Sequence, residues 1–255
     1  MATPVSDIVG FLDALLDAAA FEDYGPNGLQ VPGPETVEVV ATGVSAHREL
    51  IEAAAAEGAG LLLVHHGLFW RGQPLQITPL MDARLRPLYR SEMALAAYHL
   101  PLDAHPAHGN NALLAEAIGA HDPAPFAAHH GRPIGIRAAF APPGLTPGEL
   151  GDRVRAATGG RDPLVIDGAG ERIRSIGIVS GGGTDYLADA IDAGLDAFLT
   201  GEPSERAFGM ARDAGITFVA GGHHATETFG VTRLGELLAQ QFGVRHVPID
   251  VPNPI

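Results

Sequence analysis

The sequence predicts an α/β protein built from two similar lobes, and three observations carry that expectation. Apolar, β-branched or Ala-rich runs alternate with helical patterns along the chain, the signature of largely parallel strands joined by helical crossovers. The segment "LLAEAIG" at 113–119 returns as "LLAQQFG" at 237–243, an offset of 124. That offset also carries His99 onto His223 and Asp103 onto Glu227, so both copies read H-x-x-x-(D/E). A second echo sets "EGAGLLLVHHG" (57–67) against "DAGLDAFLTGE" (192–202), placing Gly201 and Glu202 opposite His65 and His66. The lobes are expected at 1–125 and 126–255, with no flexible linker.

Taken in order, the chain opens on an amphipathic helix over 7–19, whose acids include Asp7, Asp13 and Asp17. A strand over 37–44 and a helix over 46–56 follow. The aliphatic strand 60–64 then runs straight into "HHG". A helix over 83–92, a strand over 94–99 and a helix over 111–118 complete the first lobe. The second lobe alternates likewise, with strands at 135–141, 164–167, 176–180, 197–200, 217–220 and 244–249. Its helices are expected at 147–157, 184–193, 205–214 and 232–242.

Composition narrows the chemistry. Among 255 residues there is no Cys, which excludes disulfides, thiolate nucleophiles and Cys-ligated metals. All sixteen cationic side chains are Arg, so lysine Schiff bases and the P-loop lysine are excluded too. A formal charge of −14 disfavours nucleic-acid and anionic-membrane partners, which need basic surface. The N-terminal segment lacks the basic start and apolar core of a signal peptide, and no apolar run reaches the roughly 20 residues of a membrane span. A cytoplasmic location is expected. No G-x-S-x-G elbow occurs, and "SGGG" (180–183) lacks dinucleotide-fingerprint spacing, which leaves a plain βα turn ahead of a phosphate nest.

Twelve histidines remain, and three clusters of them stand out: "HHG" (65–67), "YHLPLDAHPAHGNN" (98–111) and "GGHHATETFG" (221–230). Each directly follows an apolar strand, and ligands of open parallel sheets bind beyond the carboxyl ends of the strands. Imidazole plus carboxylate without thiolate suits Zn, Mn, Fe, Co or Ni. His223 and Glu227 are four apart and share one face if "HATET" begins a helix. Asp103 lies between Pro101 and Pro106, expected to form a rigid ligand loop rather than a helix, with Gly109, Asn110 and Asn111 offering a tight turn and an N-cap for the next helix. Adjacent strand residues point to opposite faces, so His65 and His66 pose a puzzle. Either Gly67 releases the chain from strand geometry, or each histidine serves a different ion of a pair about 3.5–4 Å apart.

Beyond these clusters, "DYGPNGLQV" (23–31), "GVSAHRELIEAA" (43–54), "LLLVHHGLFW" (61–70), "YHLPLDAHPAHGNNALLA" (98–115), "TGEPSE" (200–205) and "GGHHATETFGV" (221–231) follow one another along nearly the whole chain. The sequence thereby resembles the Nif-three-like dinuclear metal-centre family, also known as GTP cyclohydrolase I type 2 homologues. The resemblance implies two α/β lobes without an inserted third domain, two divalent metal ions per chain in the cleft between the lobes, and a hexameric ring. Carried over by position, the metal ligands are His65, His66, Asp103, His223 and Glu227. His99 and Glu202 lie beside them as the expected general acid and base. His224 stands where Tyr is common in similar sequences. The expected function is a metal-dependent hydrolase acting on a small, anionic or nucleotide-like substrate. The alternative is a non-enzymatic metal-binding scaffold that forms a ring.

Overall fold

The computed structural model describes residues 2–168 and 170–255. Two compact units are present. One runs to Leu102 and takes the chain up again over Gly230–Pro252; the other holds Asp103–Phe229 and Asn253–Ile255.

In the first unit, β1 (Thr3–Pro4) pairs antiparallel with β3 (Thr36–Val37) beside a five-stranded sheet. That sheet contains β2 (Gly28–Val31), β4 (Val39–Ser45), β5 (Leu61–His66), β6 (Ala94–Ala97) and β13 (Arg245–Pro248), in the order β13-β4-β5-β6-β2. All pairings are parallel except that of β2. The run "LLLV" is continuous rather than alternating because both sheet faces are covered. Leu61 and Leu63 pack with Ile8 and Leu12 of the helix Val5–Leu16. Leu62 and Val64 pack on the other side with Leu50 and Ile51 of the helix Arg48–Ala56 and Leu88 of the helix Pro79–Arg90. Each fully buried aliphatic side chain contributes about 1.5–3 kcal/mol, so the end of β5 is among the best anchored backbone in this unit.

The second unit has a six-stranded sheet in the order β7-β8-β10-β11-β12-β9. Its members are β7 (His121–His129), β8 (Arg132–Ala139), β9 (Leu164–Ile166), β10 (Ser175–Val179), β11 (Ala197–Thr200) and β12 (Thr217–Ala220). The three strands β10, β11 and β12 are parallel, whereas β7, β8 and β9 join antiparallel. Parallel strands are thus confined to the middle of this sheet.

Three strands, β1, β2 and β7, fall where none was expected. The segment "HDPAPFAAH" carries two prolines and is mostly exposed, so it shows no apolar run, yet proline is tolerated on an edge strand. The compact units also differ from the consecutive halves 1–125 and 126–255. The physical reason is β13, which pairs in parallel with β4, from Arg245 opposite Val39 to Pro248 opposite Thr42. Among the described residues no helix is long and apolar enough to cross a membrane.

Candidate metal centre

The first unit brings three imidazoles together. His65 and His66 end β5, and Gly67 follows at once. A Cβ on Gly67 would collide with the amide of Gln30, whose Oε1 accepts from Leu68 N at 2.8 Å. This close pass takes the chain out of the strand, and the rings of His65 and His66 end with centroids 4.6 Å apart. His99, just beyond β6, lies 5.0 Å from His65 and 5.5 Å from His66 by ring centroids. One ring nitrogen from each of the three lies within 4.8 Å of the others.

Each of these imidazoles is held by its other side. His65 Nδ1 donates to the Tyr98 carbonyl at 2.9 Å, which leaves the lone pair on Nε2. His66 Nδ1 pairs with the Ser45 hydroxyl at 3.0 Å. His99 Nδ1 donates to Asp23 Oδ1 at 2.7 Å. Asp23 is buried and accepts further from Tyr24 N, Asn27 Nδ2 and Leu100 N, while Asn27 Oδ1 accepts from His99 N. Burial pushes the Asp23 carboxyl upward, but the bonds from His99, Asn27 and the backbone outweigh it and hold the group below its ordinary value. Trp70 stands edge-on to His99, with centroids 5.1 Å apart. Trp70 and Asp23 also line a groove of about 810 Å³.

The second unit collects carboxylates. Asp103 sits in a short helix, Leu100–Ala104, so the loop expected between the two prolines is helical. Pro101 falls in the first turn, where its missing N–H costs nothing. Asp103 Oδ1 accepts from Asn110 Nδ2 at 2.8 Å and Ser180 Oγ at 3.2 Å. Asn110 and Asn111 are not caps: Gly109 holds the N-cap position, and both asparagines are fully buried. Asn111 instead ties the Asp103 carbonyl, the Ile134 carbonyl and Ser180 N into one network.

Glu227 is buried and closes the short helix His223–Thr226. His223 Nε2 lies 3.2 Å from Glu227 Oε2, while His223 Nδ1 donates to Glu202. Burial disfavours the His223 imidazolium, yet the Glu227 and Glu202 carboxylates overcome it and raise its pKa to about 9. Gly181 belongs to "SGGG", and its role is close approach. At φ +59 its Cβ would collide with Glu227 Oε1 and sit 3.0 Å from His223 Nε2. The Gly181 N–H donates to Thr226 Oγ1 and its carbonyl accepts from Gly201 N and Glu202 N. This segment therefore spends its backbone groups on its own scaffold.

Imidazoles and carboxylates arranged around such narrow spaces fit divalent ions of the Zn, Mn, Fe, Co or Ni type. The first unit offers lone pairs oriented by outer hydrogen bonds, as metal-ligating histidines require. Asp23 was not foreseen as part of this arrangement, although it opens the quoted "DYGPNGLQV". Other histidines are engaged elsewhere: His47 caps a helix, His246 bonds Thr42, and His105 stacks on His108.

Residues 3–254 match the family described as Duf34/NIF3 (NGG1p interacting factor 3). A protein of Pseudomonas aeruginosa named "GTP cyclohydrolase 1 type 2 homolog" is 44% identical over 254 residues, covering 100% of both chains. Two solved structures, protein ybgI and TTHA1606 from Thermus thermophilus, are each 37% identical and cover 99% of this chain and 100% of theirs. Their TM-scores are 0.93 and 0.90. Reduced HcgD from Methanocaldococcus jannaschii, 19% identical with a TM-score of 0.84 over 98% of this chain and 99% of its own, shares the fold. A match along essentially the full length places this chain in the Duf34/NIF3 family.

Proposed function

We propose that this protein is a metal-dependent hydrolase that holds two divalent ions per chain through His65, His66, Asp103, His223 and Glu227. The observation that carries the reading is the meeting of His65 and His66 ring nitrogens within 4.8 Å, each ring anchored from behind. Buried Asp103 and Glu227 add the oxygen donors that hard or borderline ions need. Ions held in this way supply Lewis acidity and lower the pKa of bound water to roughly 7.

The protein's own groups do the rest. Glu202 is 42% exposed by side chain and bonds His223, so it connects that imidazole to solvent and serves as the proton-transfer group. His99, also expected to move protons, is held by a carboxylate that is almost fully buried. Two ions and two ligand carboxylates leave a positive balance, which favours a small anionic or nucleotide-like substrate. A cytoplasmic, hexameric-ring form belongs to the same reading, as does the internal duplication of the two lobes.

Elemental analysis should give two ions per chain, and a screen of nucleotides, cyclic amides and phosphate esters should reveal chelator-sensitive turnover that Glu227→Ala abolishes. Full occupancy without turnover on any class would favour the metal-binding scaffold instead. That second reading draws on the exposed Leu75, Ile77 and Leu80, apolar surface of the kind that partner copies cover.

A further inference from the structure

We infer that Arg161 is an anion-binding residue of the second unit, placed beside the backbone that leads into His223 so as to hold a phosphate group of the substrate. The inference deepens the reading above, on which it rests, by naming the side chain that recognises the substrate's charge. Position, close approach and charge each point to it.

Position follows from the sheet. Strand β9 pairs antiparallel with β12, with Leu164 opposite Ala220. Arg161 stands three residues before β9 and therefore lies at the same sheet end as Gly221 and Gly222, which follow β12. This is the carboxyl end of the parallel strands β10, β11 and β12, the edge at which open α/β sheets bind ligands.

Close approach explains the two glycines of "GGHH". Gly222 adopts φ +101, and a Cβ there would fall 2.9 Å from Arg161 Cδ and Nε and 3.2 Å from its Cζ. A Cβ on Gly221 would come within 3.1 Å of Val154 and 3.5 Å of Thr158, at the end of the helix Pro147–Ala157. The absent side chains let the segment leading to Arg161 close on this backbone. What rests on Gly222, the residue before His223, includes the charged head of Arg161 and not its aliphatic stem alone.

Charge supplies the purpose. Arg161 is half-buried, yet its guanidinium makes no hydrogen bond or ion pair with any described residue. Acids outnumber arginines 30 to 16 in this chain, so a carboxylate partner is the easy outcome. The adjacent acid, Asp162, instead pairs with Arg155 at 2.7 Å, and Glu202 and Glu227 face His223. A planar fork of donors kept from the chain's own carboxylates suits an anion from solution, and phosphate oxygens match that fork two at a time.

Inorganic phosphate is the probe, titrated by calorimetry into cobalt-loaded protein. Arg161→Met keeps an aliphatic stem over Gly222 and removes the head. It should weaken phosphate binding about 10–100-fold, while elemental analysis still finds two ions per chain. Arg161→Lys keeps the charge but loses the fork, and its affinity should fall between those of Arg161→Met and wild type. Phosphate affinity within about twofold of wild type in Arg161→Met would overturn the inference while leaving the dinuclear reading standing. So would loaded wild-type protein that takes up no phosphate. Loss of metal in Arg161→Met would also overturn it, since the arginine would then support the fold of the site and not its ligand. A wild-type protein that binds less than one ion per chain would overturn both.

Discussion

The two units anchor their polar groups by different means. In the first, neutral imidazoles are the inward groups and the carboxylate is withdrawn behind them: Asp23 has a side chain only 2% exposed and faces His99 Nδ1. In the second, carboxylates are themselves the inward groups, and Asp103 and Glu227 are buried against Asn110, Ser180 and His223. There the outer carboxylate, Glu202, reaches solvent. The same His–carboxylate pairing therefore serves two ends. The acid behind His99 is buried, whereas the acid behind His223 is half-exposed. One unit supplies nitrogen lone pairs and the other supplies negative charge.

The largest expected effect is on charge. Glu227→Ala should remove at least one ion per chain and all chelator-sensitive turnover, as read by elemental analysis. Should the variant keep both ions, the second unit is not the source of oxygen ligands. Next come the supports of Asp103. Asn110→Ala and Ser180→Ala should each weaken metal binding about 10–100-fold, measured by competition with a chromophoric chelator. Binding within twofold of wild type in both would show that Asp103 needs no such orientation.

Glycine spacing ranks third. Gly181→Ala must accommodate φ +59 and a collision with Glu227, so it should cost about 1–2 kcal/mol from the left-handed backbone alone. A denaturant melt on the chelated protein reads that loss, and a melt matching wild type would mean the turn yields freely.

The comparison also predicts opposite pH limbs in chelator. The His223 pKa is raised from 6.5 to about 9, so its stabilising contribution is complete below 6.5 and is lost as pH rises through about 9. Asp23 is lowered from 3.8, so its contribution is present above 3.8 and is lost as pH falls through its depressed value. His223→Gln should flatten the alkaline limb of Tm against pH, and Asp23→Asn the acid limb. If each variant flattens the other's limb, the assignment of the two pairs is wrong. The smallest effect serves as a control: Thr146→Ala breaks a capping box remote from these donors and should cost about 1 kcal/mol without altering metal content.

Much of this was legible in local sequence. "LLLV" announced a strand, and "HHG" announced its polar end. The H-x-x-x-(D/E) spacing picked out His99 with Asp103 and His223 with Glu227. What escaped were relations made only by folding. Asp23 meets His99 across 76 positions of chain, and nothing in the spacing of either predicts the other. Asn110 and Asn111 looked like caps because asparagine favours helix starts. Their burial, which turns them into supports for Asp103, depends on β10 and the Ser180 that follows it. The helix at Asp103 was hidden by Pro101, which reads as a breaker yet suits a first helical turn.

The return of the chain to its first sheet sets an order of assembly during translation. The six strands of the second unit lie in one uninterrupted stretch, so every strand of that sheet is available once residue 220 has left the ribosome. The first sheet is made almost entirely from early residues, yet the β4 edge stays uncovered until Arg245–Pro248 is synthesised. An open edge of this kind invites pairing with other chains. A nascent chain stalled before residue 245 thus carries a finished second sheet and a sticky first one, the form in which a chaperone would meet it.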